Sequence, residues 1–357
     1  MKDQNCLVTV LMPSYNSALF LDKSIKSILN QTFKNFEFII INDGSTDNSE
    51  EIILNYVRGN DTIIYHRNDS NIGLAASLNK GIKMAKGKYI ARMDADDISL
   101  PDRIESQVDF MEKNPHIGIL GTAIRNYGTS NYKYIFPSES EMLKCNLLFN
   151  VCFAHPSVII RKEVMIFNNI YYNEELRQYS EEYDLWSRLI DFTQYSNLDK
   201  VKLLYHVPLV AQSITKKDES DKRINNSINI RKRLLTKIGV HFSKEELALH
   251  NSIANISSGT EAELSSLRDS YEWLQKILLE QNYYDKNALH RVIAQKWFLL
   301  NYKKCNSWRE LHFFMDKNLT WESKSSIIDW CKFIVRFLFI NKKKVTKKYL
   351  MLTCFTI

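Results

Sequence analysis

An almost unbroken apolar, β-forming run, Leu7 to Met12, opens the chain; beyond Pro13-Ser14-Tyr15-Asn16, residues Leu19, Leu21, Ile25, Ile28 and Leu29 recur with a helical period. The alternation then repeats. Residues 36–41 predict a second strand, Asn42 to Asp47 a turn, and Ile52, Ile53 and Tyr56 the inner face of a second helix. Thr62 to Tyr65 and Leu74 to Ala85 predict a third strand and helix, and residues 88–93 a fourth strand. Strands alternating with helices of this length imply right-handed βαβ crossovers and a parallel sheet, so the fold class is α/β. Ser99 and Pro101 read as the start of a helix carrying Ile104, Val108 and Phe110 or Met111, followed by a strand at Gly118 to Ala123. Residues 140–215 are mixed, with a strand near Ser157 to Ile160, a helix around Glu182 to Ile190 and an extended stretch at Val201 to Val207. From about Lys216 onward the pattern is helical: 228–238, 244–253, 262–280, 288–302 and 327–340. The predicted organisation is an α/β region over 1–215 and a helical region over 216–357.

In open parallel sheets ligands bind beyond the carboxyl ends of the strands. Every polar cluster of the first half sits at such an end. Pro13 to Asn16 follow the first strand, Asn42 to Asp47 the second, Asn68 to Gly73 the third, and Asp94-Ala95-Asp96-Asp97 the fourth. Three carboxylates at the end of a buried strand repel one another and lose hydration, so a divalent cation and a phosphate are the expected ligands. A hard ion, Mn²⁺ or Mg²⁺, fits oxygen donors of this kind. Asp47 with Glu50 fits a capping box for the second helix, whereas Asp43 stands at the strand end, in reach of a base or ribose. Ser14, Tyr15 and Asn16 read either as a turn and helix cap or, through Tyr15, as a stack on a base, and Asn71 and Gly73 either shape a loop or let backbone approach a phosphate. The absence of GxGxxG after the first strand and of GxxxxGK[ST] anywhere excludes a dinucleotide dehydrogenase and a P-loop ATPase. A second acidic cluster, Glu181-Glu182-Tyr183-Asp184, opens a helix. It reads either as charge complementing the helix dipole or, beside a metal-nucleotide site, as the source of a general base.

The segments VLMPSYN, FIIINDGSTD, NIGLAASLNKGI, KGKYIARMDADD, HPSVIIRK and EEYDLW, in this order and spacing, resemble glycosyltransferase family 2 over about residues 6–215. These are the inverting GT-A enzymes of bacterial polysaccharide and lipopolysaccharide assembly. The resemblance implies a GT-A fold, a Rossmann-like, mainly parallel sheet flanked by helices, with a nucleotide-sugar half over about 1–123 and an acceptor half over 124–215. It implies a nucleotide-sugar donor, usually a UDP-sugar, a saccharide or lipid-linked saccharide acceptor, and transfer of a hexosyl or N-acetylhexosaminyl group. It places Pro13, Tyr15, Asn16, Asp43 and Asn71 around the nucleotide, with Asp43 on the base. Asp94 and Asp96 fall on the ribose and metal-diphosphate, and Asp97 on the donor sugar or the metal's surroundings. The second acid of the family's ED motif, its catalytic base, is Glu182, a Glu where Asp is usual; Glu181 and Asp184 are the other candidates. The Arg and His that many relatives carry before a Ser-Ile-Ser segment fall, aligned on Ser213-Ile214-Thr215, at Pro208 and Val210, with His206 close by. His155 matches the family without an assigned role. These departures leave a catalytically impaired nucleotide-sugar-binding homologue as the alternative.

Charge and composition change this picture only at the carboxyl end. The formal charge of +7 on 357 residues is modest, but Lys332, Arg336, Lys342, Lys343, Lys344, Lys347 and Lys348 follow Asp329 with no further acid. Beside Trp297, Trp308, Trp321, Trp330, Phe333, Phe337 and Phe339, they read as a peripheral membrane surface over 327–357 or as an amphipathic helix packed on the protein with a basic end. No recognised nucleic-acid-binding module accompanies the charge, so no nucleic-acid partner is expected. No apolar run is long enough to span a bilayer and no signal-peptide core is seen, so the expected location is the cytoplasm, at or near the inner membrane face. The six cysteines lie far apart with no CxxC, predicting reduced structural thiols.

Overall fold

The computed structural model describes residues 6–176, 179–208, 217–256, 266–322 and 329–340. The chain divides into two compact units, Met1–Ile230 and Arg231–Ile357. In the first, β1 (Val8–Ser14), α1 (Ala18–Leu29), β2 (Phe36–Asn42), α2 (Ser49–Val57), β3 (Ile63–Arg67), α3 (Leu74–Met84) and β4 (Tyr89–Arg92) alternate as the sequence predicts. There follow β5 (Ile98–Ser99), α4 (Arg103–Lys113), β6 (Ile117–Gly128), β7 (Lys133–Tyr134), α5 (Ser140–Asn146), β8 (Ile159–Arg161), α6 (Lys162–Phe167), α7 (Glu181–Leu189), β9 (Gln194–Val207) and the start of α8 (Lys217–Lys237).

The strand order is β3-β2-β1-β4-β8-β6-β9-β5, with β7 paired to β6. β1 to β4 are mutually parallel. β8 runs antiparallel to both β4 and β6, and β9 is parallel to β6. The first four strands, β6 and β9 therefore all point the same way, and their carboxyl ends share one rim. The chain moves outward through β2 and β3 and returns to place β4 on the other side of β1, so a topological switch point falls between β1 and β4. Tyr15 follows one of these strands and Asp94 the other.

The inner strands read as continuous hydrophobic runs because both faces are covered: Val8, Val10, Met12, Phe38 and Ile40 are fully buried. α1 buries Leu21, Ile25 and Ile28, each worth about 1.5–3 kcal/mol when removed from water. Leu19, expected on that face, is 83% exposed. α4 buries Ile104, Val108 and Met111 as its period predicts, but also Arg103 and Gln107. Arg103 donates to the Arg92 carbonyl at 2.6 Å and Gln107 to the Leu120 and Ser157 carbonyls, so these buried polar side chains are themselves satisfied by backbone acceptors. Ser99 does not start this helix; it lies in β5, paired with Leu203 of β9.

The predicted capping box is also corrected. α2 is preceded by Asn48, and Asp47 instead accepts from the Ser49 and Ala18 amides, joining the starts of α2 and α1. Glu50 turns outward to the Tyr65 hydroxyl at 2.9 Å.

The second unit contains the rest of α8, α9 (Lys244–Ala254), α10 (Leu267–Glu280), α11 (Lys286–Lys304), α12 (Trp308–Met315), α13 (Asn318–Glu322) and a helical segment over 329–340. Its core is aromatic: Trp297, Phe314, Phe333 and Phe337 are at most 2% exposed. Trp297, Phe333 and Phe337 are thus packing residues, not residues at an interface with lipid. Trp297 also donates to Thr320 at 3.0 Å, which satisfies its indole N–H. Among the described residues no helix is long and apolar enough to cross a membrane. Cys6, Cys145, Cys152, Cys305 and Cys331 are free thiols; Cys354, Lys342 to Lys348, Val210 and Ser213 to Thr215 lie outside the described residues.

Candidate active site

Strand alternation builds the acidic cluster. In β4 and its extension Arg92 and Asp94 face one side while Met93 and Ala95 enter the core, the latter pair at 0% and 6% exposure. Asp94 pairs with Arg92. Asp96, the most exposed of the three acids, has its Oδ2 3.3 Å from His206 Nδ1, and its carbonyl accepts from the Tyr127 hydroxyl. Asp97 is 1% exposed; its Oδ1 accepts from the His206 amide at 2.8 Å while its Oδ2 is buried without a hydrogen-bond partner. One oxygen from each of the three carboxylates lies within 4.8 Å of the others.

This geometry is costly without a cation. Burial pushes the Asp97 carboxyl well above the usual carboxylate range, with Asp94 and Asp96 adding repulsion. Burial likewise raises Asp94, opposed by Arg92 and reinforced by Asp96 and Glu182. The unpartnered, buried Asp97 oxygen and the all-oxygen donor set fit a hard divalent ion. Asp94 and Asp96 would hold it, with Asp97 behind them.

A cavity of about 560 Å³ opens beside Asp94. Arg92 and Asp94 line it from β4, Asn126 from β6, Tyr205 from β9, His155 from the turn before β8, and Glu181 and Glu182 from the first turn of α7. Glu182, His155 and Glu181 offer ligand atoms within 4.8 Å of one another. The predicted base and the predicted cation ligand thus face one cleft.

The second acidic cluster separates into three environments. Glu181 is 3% exposed, with an unpartnered Oε2; burial first and Glu182 second push its carboxyl up to about 8. Its 3.8 Å separation from His155 Nδ1 is not an ion pair, because burial and Arg92 drive the His155 pKa well below its usual value. His155 Nε2 shares a 2.8 Å hydrogen bond with the Tyr172 hydroxyl. Asp184 does not line the cavity; its Oδ2 accepts from Arg188 Nε at 2.7 Å. Glu182, half-buried, lines the cavity. Ser180, just before α7, holds φ 68, a left-handed conformation rare for a serine, and its hydroxyl lies 3.0 Å from that of Ser227.

A pH prediction follows from Glu181. Below its ordinary pKa of 4.5 both folded and unfolded chains hold the proton; between 4.5 and about 8 only the unfolded chain releases it, so stability falls as pH rises through that window. Glu181→Gln should flatten this decline. Urea unfolding from pH 4 to 9 reads it, and curves that stay parallel would refute it.

The residues expected around the nucleotide lie at the ends of β1 to β3, outside the cavity lining. Pro13 is buried as the penultimate residue of β1. Tyr15 is 44% exposed at the rim. Asn16, at φ 49, donates its amide to Ser45 and accepts from the Thr46 amide at 2.8 Å, pinning two loops together. Asp43 is buried and accepts from Asn68 Nδ2 at 2.8 Å, Ile72 N at 3.0 Å and Gly73 N at 2.9 Å, so it organises the loop that carries exposed Asn71. Gly44 permits that approach: at φ +71 a Cβ there would stand 2.7 Å from the Ser70 carbonyl carbon.

Arg92, Asn126, Tyr134, Tyr205 and Arg223 also line the cavity and were not singled out from sequence. Arg92 alone carried a signal: a cation inside an apolar strand, two residues before Asp94, must share its face.

Solved structures share this fold. Staphylococcus aureus TarS residues 1–349 in complex with UDP aligns with a TM-score of 0.55 at 16% identity, covering 84% of this chain and 87% of that one. GalNAc-T7 with UDP, GalNAc and Mn²⁺ aligns at 0.53 and 12%, covering 77% and 55%. The sequence pattern of glycosyl transferase family 2 matches residues 9–198, and the chain belongs to that family. An uncharacterized glycosyltransferase of Methanocaldococcus jannaschii is 35% identical over 216 residues, 57% of this chain and 71% of the relative. The Escherichia coli O-antigen biosynthesis glycosyltransferase WbnJ is 33% identical over 213 residues, 56% and 80% respectively. The protein is a glycosyltransferase.

Proposed function

We propose that this enzyme moves a glycosyl group from a nucleotide-sugar to a saccharide hydroxyl, inverting the anomeric centre, with Glu182 as general base. The observation supporting this reading is the shared cavity of Asp94 and Glu182. Asp184 is engaged by Arg188 and Glu181 is buried, with its carboxyl pushed up to about 8, whereas half-buried Glu182 lines the cavity and is the base we assign. The acceptor hydroxyl loses its proton to Glu182 as its oxygen attacks the anomeric carbon, and the nucleoside diphosphate departs on the opposite face. Asp94 and Asp96 would hold Mn²⁺ or Mg²⁺, which would supply Lewis-acid stabilisation of the leaving diphosphate. Asp97 belongs to the surroundings of that ion, since its burial removes it from the donor sugar. Arg92 fixes Asp94, and His206 sits where an imidazole reaches Asp96. The O-antigen relative points to cell-surface polysaccharide synthesis, and the TarS complex with UDP-GlcNAc, a relative in fold, makes UDP-sugars the donors to try first. Slow release of UDP from a UDP-sugar, dependent on Mn²⁺ and needing no acceptor, is the expected result. Tight nucleotide-sugar binding without release would favour the impaired homologue.

Peripheral membrane contact is part of this proposal. On the 329–340 segment Phe333 and Phe337 face the core, while Ile334, Val335 and Leu338 are 50%, 67% and 51% exposed on the other side, just ahead of Lys342 to Lys348. An exposed apolar face on a segment that lysines follow in the sequence suits an anionic bilayer. Replacing Ile334, Val335 and Leu338 with Ser should abolish flotation with phosphatidylglycerol vesicles without unfolding the unit; undiminished flotation would exclude this face. Deleting 327–357 is a poorer test, because it strips Phe333 and Phe337 from the core.

A further inference from the structure

The β6–β7 hairpin carries surface that the reaction outlined above does not use. Tyr132, Tyr134 and Ile135 are 62%, 45% and 57% exposed, and the two tyrosine rings meet edge to face with centroids 4.6 Å apart. Such a pair on a short hairpin contributes little to the core. It is nevertheless held in place: Tyr134 is registered against Ile124, Lys133 against Arg125, and the Asn126 amide donates to the Tyr132 carbonyl at 2.9 Å. Cross-strand neighbours share a face, so Tyr134 lies on the same side as Ile124, and both line the cavity that holds Glu182.

A second, independent observation comes from Asn126. It lines the same cavity at 7% exposure, its Nδ2 donates to Ser130 at 3.3 Å, and its Oδ1 is buried with no hydrogen-bond partner. An orphaned buried acceptor costs free energy unless a ligand donor reaches it. Tyr205, registered opposite Asn126 on β9, adds a third aromatic ring to this wall.

We propose that Tyr134, with Tyr132 behind it, and Asn126 form a saccharide subsite on the acceptor side of the cavity. A pyranose ring offers an apolar face of C–H groups and a girdle of hydroxyls. The first packs on a tyrosine ring and the second donates to Asn126 Oδ1, a combination that neither a lipid chain nor an anion satisfies. Tyrosine suits the task because it presents a rigid apolar body with a polar tip. The cavity volume lies inside the roughly 300–1,000 Å³ range of small-ligand sites. Calling this sugar the acceptor rests on the transferase reading; its binding does not.

Saturation-transfer NMR on the full chain tests it, using methyl glycosides of glucose, galactose, mannose, N-acetylglucosamine and N-acetylgalactosamine and their β-linked disaccharides. At least one probe should receive saturation on its ring protons. Tyr134→Ala should weaken that probe about tenfold, Tyr134→Trp should retain it, and Asn126→Ala should weaken it with a different pattern of saturated protons. Thermal unfolding of each variant separates lost binding from lost fold. Failure of every probe to bind, or equal binding by folded Tyr134→Ala, overturns the subsite. Glycoside binding that persists in a chain releasing no UDP leaves the subsite standing and brings down the transferase reading instead.

Discussion

Replacing Glu182 with Gln should lower transfer by about 10²- to 10⁴-fold, the usual worth of general-base assistance and roughly 3–5 kcal/mol in the barrier, while donor binding stays within a factor of a few. The asymmetry follows from geometry. Glu182 lines the cavity from the first turn of α7, whereas the strand-end loops expected to hold the nucleotide belong to β1 to β4. The amide keeps the size and polarity of the side chain, so loss of turnover reports loss of proton acceptance rather than repacking. Glu181→Gln is the informative companion, because its carboxyl already holds a proton at neutral pH and substitution should change rate far less. Steady-state rates with matched donor titrations decide this. Unchanged turnover in the Glu182 variant would move the base elsewhere.

Asp96→Asn should weaken Mn²⁺-dependent UDP binding by several kcal/mol, or roughly 10²- to 10³-fold, with little effect on folding. Asp96 is the most solvent-accessible acid of the cluster, its side chain 43% exposed, and its Oδ2 lies 3.3 Å from His206 Nδ1. Removing its charge also relieves repulsion on Asp97, so thermal stability without metal should hold or rise. Calorimetry with UDP, with and without Mn²⁺, reads both quantities. Metal-dependent affinity equal to that of the native chain would rule out Asp96 as a ligand. Asp94→Asn gives a less clear result, since it also leaves buried Arg92 without its ion-pair partner.

How much of this was legible in the sequence differs by element. β1 to β4 and α1 to α4 announce themselves because strands covered on both faces need long apolar runs and their helices need one apolar stripe. β5 and β7, two residues each, have no periodicity to detect; they exist because β9 and β6 offer free ladder edges. Capping chemistry was misread at Asp47 because its carboxylate accepts from the Ala18 amide across the rim, at the start of α1, as well as from Ser49 at α2. In the site, residue type and order singled out Asp94, Asp96 and Glu182 as candidates, and the fold sets Asp94 and Glu182 on one cavity. Asn126, Tyr134 and Tyr205 were invisible. The β6–β9 register, which connects residues some eighty positions apart, sets Tyr205 beside Asn126, and pairing with β7, too short to show a period, adds Tyr134.

One helix joins the two ends of the proposed reaction. Asp43 accepts from the amide of Gly73 at the entrance to α3, and midway along the same helix Asn79 exchanges two 2.9 Å hydrogen bonds with the backbone of Tyr172, whose hydroxyl meets His155. Half the length of α3, about 9 Å of helix, therefore sets the spacing between the loop that Asp43 organises and the tyrosine that holds the His155 ring in the cavity wall.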